Sequence, residues 1–138
     1  MEKQTLYKFV NDTDGIVITA IPTFDHDHSL PEDLEFIWLY KIIIENQTNN
    51  PHQLVARMWN IIDSDGCVEE VYGYGVVGEQ PVINPGESYE YTSKVSVRTS
   101  SAIMAGNYEM LNIDTGDIVI AVIPSFALES PYNRNIVN

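Results

Sequence analysis

Apolar and polar residues alternate at every second position through much of this 138-residue chain, and this pattern constrains the fold more than any other feature. From Ser88 to Thr99, tyrosines and valines alternate with polar residues such as Glu90, Lys94 and Arg98. This is the pattern of a β-strand with one buried face. It therefore predicts a sheet that covers a core on one side.

A second strand, Phe36–Asn46, places Phe36, Trp38, Tyr40, Ile42 and Ile44 on one face. Its other face also carries three aliphatic residues, Ile37, Leu39 and Ile43. A strand that is apolar on both faces is typical of a covered position in a sheet. We therefore expect this strand to be central and covered on both sides.

Further strands are predicted where apolar runs lie between turn residues: Ile16–Phe24, Leu54–Asp63, Cys67–Tyr72, Asn107–Ile113 and Ile118–Phe126. Asp65-Gly66 is typical of a hairpin turn. Only Leu30–Leu34 indicates a helical turn. About seven short strands with almost no helix predict an all-β fold, a two-sheet antiparallel β-sandwich. We expect one domain over 1–138, with its core at about 14–130.

Charge and cysteine content limit the partners and the compartment. Twenty acidic and seven basic side chains give a net charge of −13, which disfavours nucleic acid and anionic membrane surfaces. Such a surface favours basic partners and divalent cations. Cys67 is the only cysteine, which fits a reducing compartment. Neither a signal peptide nor a spanning segment is indicated, so we expect a cytoplasmic protein.

The segment VYGYGVVGEQP contains Gly73, Gly75 and Gly78 in the GxGxxG spacing of a dinucleotide-binding turn. That turn needs a helix directly after it, and Pro81 and Pro85 exclude one here. The surrounding residues are also acidic. We interpret the glycines as letting a loop turn sharply and pack closely.

The same loop is the predicted partner or ligand surface, with two exposed aromatic residues as anchors. Its candidate residues are Tyr72, Gly73, Tyr74, Gly75, Gly78, Glu79, Gln80 and Pro81. Edge strands of the sandwich are a second candidate surface, since they could pair two copies into a homodimer.

At this point the chain resembles the ApaG family. The resemblance is carried by RMWNIIDSDGCVEEVYGYGVVGEQPVINPGESYEYTS, IMAGNYEM, IPSFALESP and the terminal IVN. It implies a β-sandwich similar to fibronectin type III and immunoglobulin domains. Similar domains are fused to F-box proteins and to a polymerase-delta-interacting protein, which implies protein recognition. The bacterial family is linked to diadenosine tetraphosphate hydrolysis and to resistance to cobalt and magnesium, with no catalytic residues to carry over.

The chain departs from the family pattern at Met58, where a histidine is usual, and at Lys94, where a glycine is usual. If that histidine acts as an acid, a base or a metal ligand throughout the family, this chain cannot use it in that way. Arg57 shares a face with Trp59. We expect it to stack on an aromatic ring or pair with an acid, or, together with Lys94, to contact an anion.

The DHDHS segment carries His26 and His28 on one side of an extended chain, where two imidazoles could hold one transition metal. Two ligands are too few for a firm site, so an exposed polar loop is the favoured interpretation. No nucleophile–base arrangement is recognisable. We therefore predict a non-enzymatic interaction module without a cofactor that binds an unidentified protein. The alternative is a protein that binds a polyphosphate, a dinucleotide or a divalent cation.

Overall fold

A computed structural model describes residues 6–132 of the chain. The ends of the predicted domain, 1–5 and 133–138 with the terminal IVN, lie outside the described residues. Nine strands and one short 3₁₀ turn, Pro31–Asp33, make up the regular structure of the described part. The strands are β1 Phe9–Thr13, β2 Ile16–Phe24, β3 Phe36–Asn46, β4 His52–Asp63, β5 Val68–Tyr74, β6 Val82–Ile83, β7 Ser88–Val97, β8 Ser101–Asn112 and β9 Ile118–Glu129.

The strands form two antiparallel sheets, which confirms the predicted all-β sandwich. One sheet has the strand order β1-β2-β3-β7, and the other has the order β5-β4-β8-β9, with β6 paired to β4. The nine strands exceed the seven predicted because β1 and β6 are additional. The short β6 follows Pro81, and Asn11, Asp12 and Thr13 hide the alternation of β1. No helix in residues 6–132 is long and apolar enough to cross a membrane.

The inward faces of the two sheets meet in an aromatic core around Trp59. The Trp59 ring centroid lies 5.3 Å from that of Tyr40, 6.0 Å from Phe126 and 6.4 Å from Tyr108. All four side chains are buried. Tyr108 also shares a 2.5 Å hydrogen bond between hydroxyl groups with Tyr91 of the opposite sheet. A polar contact therefore links the two sheets within the apolar core.

The inward face of β3 is buried at every second residue, as the alternation predicts. The expectation that β3 is covered on both faces is wrong, because Ile37, Leu39 and Ile43 are only half-buried. In a two-layer sandwich the second face of each sheet has no further layer over it. The half-burial comes from the neighbouring β2 and β7, which flank β3 in the same sheet.

The two lateral sides of the sandwich differ. On one side Asn11 Nδ2 of β1 donates a 3.0 Å hydrogen bond to the Val122 carbonyl oxygen of β9, and Val122 N donates to Thr13 Oγ1 at 3.1 Å. These bonds join the edge of one sheet to the edge of the other. On the opposite side, β5 and β7 are edge strands with no further strand beside them among residues 6–132. This side is open.

Candidate functional site

The loop after β5 is a tight hairpin. Val76 N donates to the Glu79 carbonyl oxygen and Glu79 N donates to that of Val76, each at 2.8 Å. The two residues between them, Val77 and Gly78, have φ angles of 42° and 80°. Two consecutive positive φ values define a type I′ turn. The chain therefore reverses direction here, and no helix follows.

The rest of the loop is fixed to β4 and β7. Gln80 Nε2 donates to the Val55 carbonyl oxygen at 2.9 Å, and Leu54 N donates to that of Pro81 at 3.0 Å. The Tyr89 hydroxyl donates to Glu79 Oε2 at 3.0 Å. These bonds assign Glu79, Gln80 and Pro81 to holding the loop in place.

Each glycine of the GxGxxG spacing is required for a different structural reason. Gly73 is covered by the Arg57 side chain, so a Cβ there would lie 2.7 Å from Nη1. Gly75 has a φ of 66°, and a Cβ there would overlap the Glu79 carbonyl oxygen. Gly78 supplies the second positive φ of the turn. The spacing is accounted for by turning and close packing, as interpreted from the sequence.

The Arg57 side chain holds this loop through hydrogen bonds to its backbone. Its Nη1 donates to the Gly75 carbonyl oxygen at 2.7 Å and to the Tyr74 carbonyl oxygen at 3.3 Å. The expected pairing with an acid or stacking on a ring is therefore replaced by hydrogen bonds to backbone oxygens. Arg57 can reach the loop because it faces inwards on β4, directly opposite Gly73 of β5.

Tyr72 and Tyr74 lie on the outward face of β5. Their ring centroids are 5.9 Å apart in an edge-to-face arrangement, and 51% and 73% of their surfaces are exposed. The Tyr72 hydroxyl donates to Glu109 Oε2 at 3.4 Å. Partial desolvation and the neighbouring Glu109 carboxylate raise the pKa of Tyr72. The structure thus places both predicted anchors side by side and accessible.

These tyrosines belong to a larger apolar surface, which we call the outer face: the outward side of the β5-β4-β8-β9 sheet. The register aligns Tyr72, Met58, Asn107 and Val122 in one row across four strands. A second row contains Val68, Ile62, Ile103 and Ala127. Eight large apolar side chains of this face are exposed: Ile62, Val68, Tyr72, Tyr74, Ile103, Ile118, Ile120 and Val122.

Few charges interrupt the outer face. By alternation and register its charged members are Glu70, Glu109 and Glu129, and no lysine or arginine of the described residues lies on it. Burial of apolar surface is therefore the main interaction that this face can offer, and its three carboxylates would favour basic groups on a partner.

The open side of the sandwich holds a second feature, which we call the groove: the space between edge strands β5 and β7. It contains a cavity of about 420 Å³ and another of about 250 Å³, and Ile61, Glu69 and Ser96 line both. Arg57 and Lys94 line the larger cavity, and Arg98 lines the smaller one. The structure therefore brings together the two residues proposed from the sequence to contact an anion.

Two buried hydroxyl groups lie on the core side of the groove. Burial raises the pKa of Tyr91 and of Tyr108, although the Arg57 guanidinium partly opposes that rise at both. Both phenols are therefore neutral hydrogen-bonding groups near pH 7, and their 2.5 Å hydrogen bond occupies them with each other. They are structural polar groups of the core.

His26 and His28 lie in an exposed turn. His28 Nδ1 is 2.8 Å from Asp25 Oδ2, and the ring of His26 packs edge-on against Phe24 with centroids 4.9 Å apart. Residues 6–132 contain no group of three or more histidine, cysteine, aspartate and glutamate side chains that could hold a metal ion. The contacts of the two histidines, with Asp25 and Phe24, are those of polar and packing residues of a turn.

The sequence did not indicate the outer face or the groove as surfaces. Alternation identifies Ile120 and Val122 as strand residues but not as neighbours of Tyr72, because that proximity depends on sheet order, and Ile103 lies outside the predicted strand. Arg98, in the bend after β7, joins Lys94 beside the groove, four residues further along the chain. That spacing was the one available indication of a basic strip.

Comparison with known proteins identifies the family of this chain. The ApaG domain model matches residues 26–112. Protein ApaG of Agrobacterium fabrum is 43% identical over 126 residues, covering 91% of this chain and 96% of that relative. Protein ApaG of Paramagnetospirillum magneticum is 45% identical over the same length. A crystal structure from Bordetella pertussis, described as an ApaA protein, matches with a TM-score of 0.81 and 31% identity, covering 91% of this chain and 98% of that one. The chain therefore belongs to the ApaG family.

Proposed function

We propose that this ApaG-family domain is a non-enzymatic interaction module that binds a protein partner through its outer face. The observation that carries the proposal is the concentration of eight exposed apolar side chains on one sheet surface. Contiguous apolar patches of this kind typically mark interaction sites on soluble proteins. Tyr72 and Tyr74 are the anchors, because aromatic residues that bury a large area dominate binding energy at interfaces.

The charges of the face define the chemistry of its partner. Glu70 and Glu109 lie among the exposed apolar side chains, Glu129 lies at the end of β9, and the whole chain carries a net charge of −13. A partner surface that combines apolar or aromatic side chains with lysines or arginines complements this arrangement. The same charge disfavours nucleic acid as a partner.

The test compares two double variants in quantitative pull-down from lysate. Tyr72→Ala with Tyr74→Ala removes the anchors from the outer face. Val10→Ala with Leu30→Ala is the matched control, since these two residues are also exposed apolar side chains but lie elsewhere. We expect a protein that is retained by the wild type and the control and lost by the tyrosine variant. Equal capture by all three proteins, or no reproducible capture, would contradict the proposal.

A second function is favoured by the geometry of the groove. Arg57, Lys94 and Ser93 line one cavity of about 420 Å³, and together they could contact a polyphosphate or dinucleotide. Two facts weigh against it. Arg57 Nη1 already donates to two carbonyl oxygens, and Glu69 brings a carboxylate to the same cavity.

Thermal unfolding with diadenosine tetraphosphate, ATP, pyrophosphate, Co²⁺ and Mg²⁺ separates the two functions. A ligand that binds only the folded protein raises the midpoint, and Lys94→Ala should abolish a rise caused by an anion. An unchanged unfolding midpoint at about 1 mM of each compound would exclude the ligand-binding function and retain protein binding as the proposed function.

A further inference from the structure

The open side of the sandwich presents the unpaired backbone edge of β7. This strand is hydrogen-bonded to β3 on one side, and residues 6–132 place no strand on its other side. Alternate residues of an edge strand direct their amide and carbonyl groups away from the sheet, where an added strand can pair with them. The opposite side of the sandwich differs, because Asn11 and Thr13 of β1 bond the backbone of Val122 there.

The basic residues of the chain are concentrated beside this edge. Residues 6–132 contain five lysines and arginines, and three of them, Arg57, Lys94 and Arg98, line the groove. The ion pairs of the described residues are His28–Asp25 and Lys41–Glu90, so these three cations have no carboxylate partner there. Arg57 Nη1 is already engaged by two carbonyl oxygens, and Asp63 and Glu69 also line the cavities. Lys94 and Arg98 are therefore the cations that favour an acidic ligand beside β7.

The two faces of β7 differ in chemistry. Lys94 and Ser96 are exposed on the outward side of β7, whereas Val95 and Val97 are turned inwards, and Arg98 follows in the bend after the strand. In a strand added to β7, every second side chain would lie beside Val95, Val97 and the cavities. The remaining side chains would lie beside the cations, and the Cβ atoms of directly opposite residues would be about 4.5–5.5 Å apart. Acidic residues fit the outward positions and apolar residues fit the inward ones.

We propose that the groove binds an extended peptide segment with alternating apolar and acidic residues, which adds to the β-sheet as a strand beside β7. Main-chain hydrogen bonds to the β7 edge hold the segment, and Lys94 and Arg98 select its charge. These cations repel a basic strand and admit an acidic one. Asp63 and Glu69 also line the cavities, so acidic side chains of the segment fit beside Lys94 and Arg98 rather than inside the cavities.

A second copy of this chain is a poorer occupant of the groove. A second copy that paired its own β7 with this edge would bring Lys94 and Arg98 of the two copies together, and this local repulsion opposes the association. The proposal concerns a different surface from the outer face, so the two can succeed or fail independently.

The probe is an acetylated and amidated octapeptide of alternating valine and glutamate. Amide chemical shifts of the ¹⁵N-labelled protein are followed during titration to millimolar peptide. We expect saturable shifts centred on residues 93–98. A valine–lysine octapeptide should bind at least about tenfold more weakly, since its charges meet Lys94 and Arg98 unfavourably. No binding, or equal binding of the lysine peptide, would overturn the proposal.

Protein variants locate the site. Lys94→Glu with Arg98→Glu should weaken peptide binding about tenfold, the size expected when two surface attractions become repulsions. Lys8→Glu alters a cation just before β1, at the opposite edge of the same sheet, and changes the net charge as much as Lys94→Glu alone. Peptide binding by Lys8→Glu should therefore stay within about twofold of the wild type. Tyr72→Ala with Tyr74→Ala should leave peptide binding intact. Loss of binding in either of these last two variants would place the peptide elsewhere and refute the assignment to β7.

Backbone pairing is tested separately with N-methylated peptides. A strand that pairs on one side donates from every second amide, so methylation of one alternate set should abolish binding and methylation of the other set should not. Equal effects of the two sets would show that the peptide does not add as a strand. Analytical ultracentrifugation without peptide measures self-association. A stable dimer that prevents peptide binding would show that the groove binds a second copy of the chain and would overturn the proposal.

Discussion

The guanidinium group of Arg57 lies directly over the Cα of Gly73, the residue opposite it on the neighbouring strand. A Cβ added to Gly73 would lie 2.7 Å from Nη1 and 2.9 Å from Cζ of Arg57. Gly73 lies in β5 and is not among the glycines with positive φ. It is therefore required for the space it leaves rather than for its backbone conformation, and that space lets Arg57 reach the loop carbonyls.

We predict that Gly73→Ala lowers the free energy of unfolding by about 1–3 kcal/mol. The new methyl group displaces Arg57 from the Gly75 carbonyl oxygen and removes a charged hydrogen bond. In a strand without this contact, the same change would be neutral or stabilising. Urea unfolding of four proteins measures the coupling: the wild type, Gly73→Ala, Arg57→Ala and the double variant. If alanine at position 73 costs the same with and without Arg57, the contact is not the cause.

Val77 is a β-branched residue held at a φ of 42° in the first central position of the type I′ turn. This conformation is costly for valine and readily adopted by asparagine. We predict that Val77→Asn raises the free energy of unfolding by about 1 kcal/mol. Val68→Asn is the matched control, since both valines are 59% exposed and Val68 lies in regular β5. A gain of similar size in both variants would show that the turn conformation is not responsible.

Asn46 is buried and uses all of its side-chain hydrogen-bonding groups. Its Nδ2 donates to the Asn50 and Ile83 carbonyl oxygens at 2.8 Å, and its Oδ1 accepts from Thr48 N and Oγ1. We predict that Asn46→Asp costs about 2–4 kcal/mol of stability at pH 7, because a buried carboxylate would face two carbonyl oxygens without a proton to donate.

The control for this substitution is Asn112→Asp. The Asn112 side chain accepts from Asp114 N and Thr115 N, and an ionised carboxylate can do the same. Its unfolding free energy in urea should therefore stay within about 0.5 kcal/mol of the wild type. Equal losses in the two variants would contradict the assigned donor role of Asn46.

The buried pair Tyr91 and Tyr108 makes the stability sensitive to alkaline pH. Burial raises the pKa of both phenols in the folded protein, whereas in the unfolded chain they ionise near pH 10. Below about pH 10 both tyrosines are protonated in the folded and in the unfolded protein, and their contribution to stability is complete. Above it the unfolded chain loses protons first, so stability falls by about 1.4 kcal/mol per pH unit for each tyrosine.

Tyr91→Phe isolates this contribution. Because the variant has one buried phenol fewer, its unfolding free energy should fall less steeply between about pH 10 and pH 11.5. The difference from the wild type, measured by urea unfolding across this range, should therefore shrink as the pH rises. A difference that is constant with pH would show that the folded and unfolded states ionise Tyr91 alike.

The sequence predicted the strands and the sandwich well because alternation is a local property. Ile16–Phe24 and Phe36–Asn46 were located with the bounds that the structure has. β8 was predicted to begin at Asn107, but it begins at Ser101, since Ala105 and Gly106 lack the bulky side chains that reveal alternation. The further likeness to fibronectin type III domains stays a prediction.

The candidate surfaces were only partly predictable because they depend on contacts between distant strands. Tyr72 and Tyr74 were identified as exposed anchors from their place beside the glycine loop. Their extension to Val122 follows from the order β5-β4-β8-β9, which no local pattern encodes. Likewise, Arg57 was recognised as unusual, but its hydrogen bonds to loop carbonyls depend on the pairing of β4 with β5.

The hydrogen bonds between β1 and β9 also determine how many partners the sheet edges can engage. With one lateral side joined through Asn11, Thr13 and Val122, a strand can add only on the opposite side. Growth of a fibre by edge-to-edge addition needs active edges on two opposite sides of each molecule. This domain offers its free edges, β5 and β7, on one side only, so strands that add there cannot be followed by others on the opposite side.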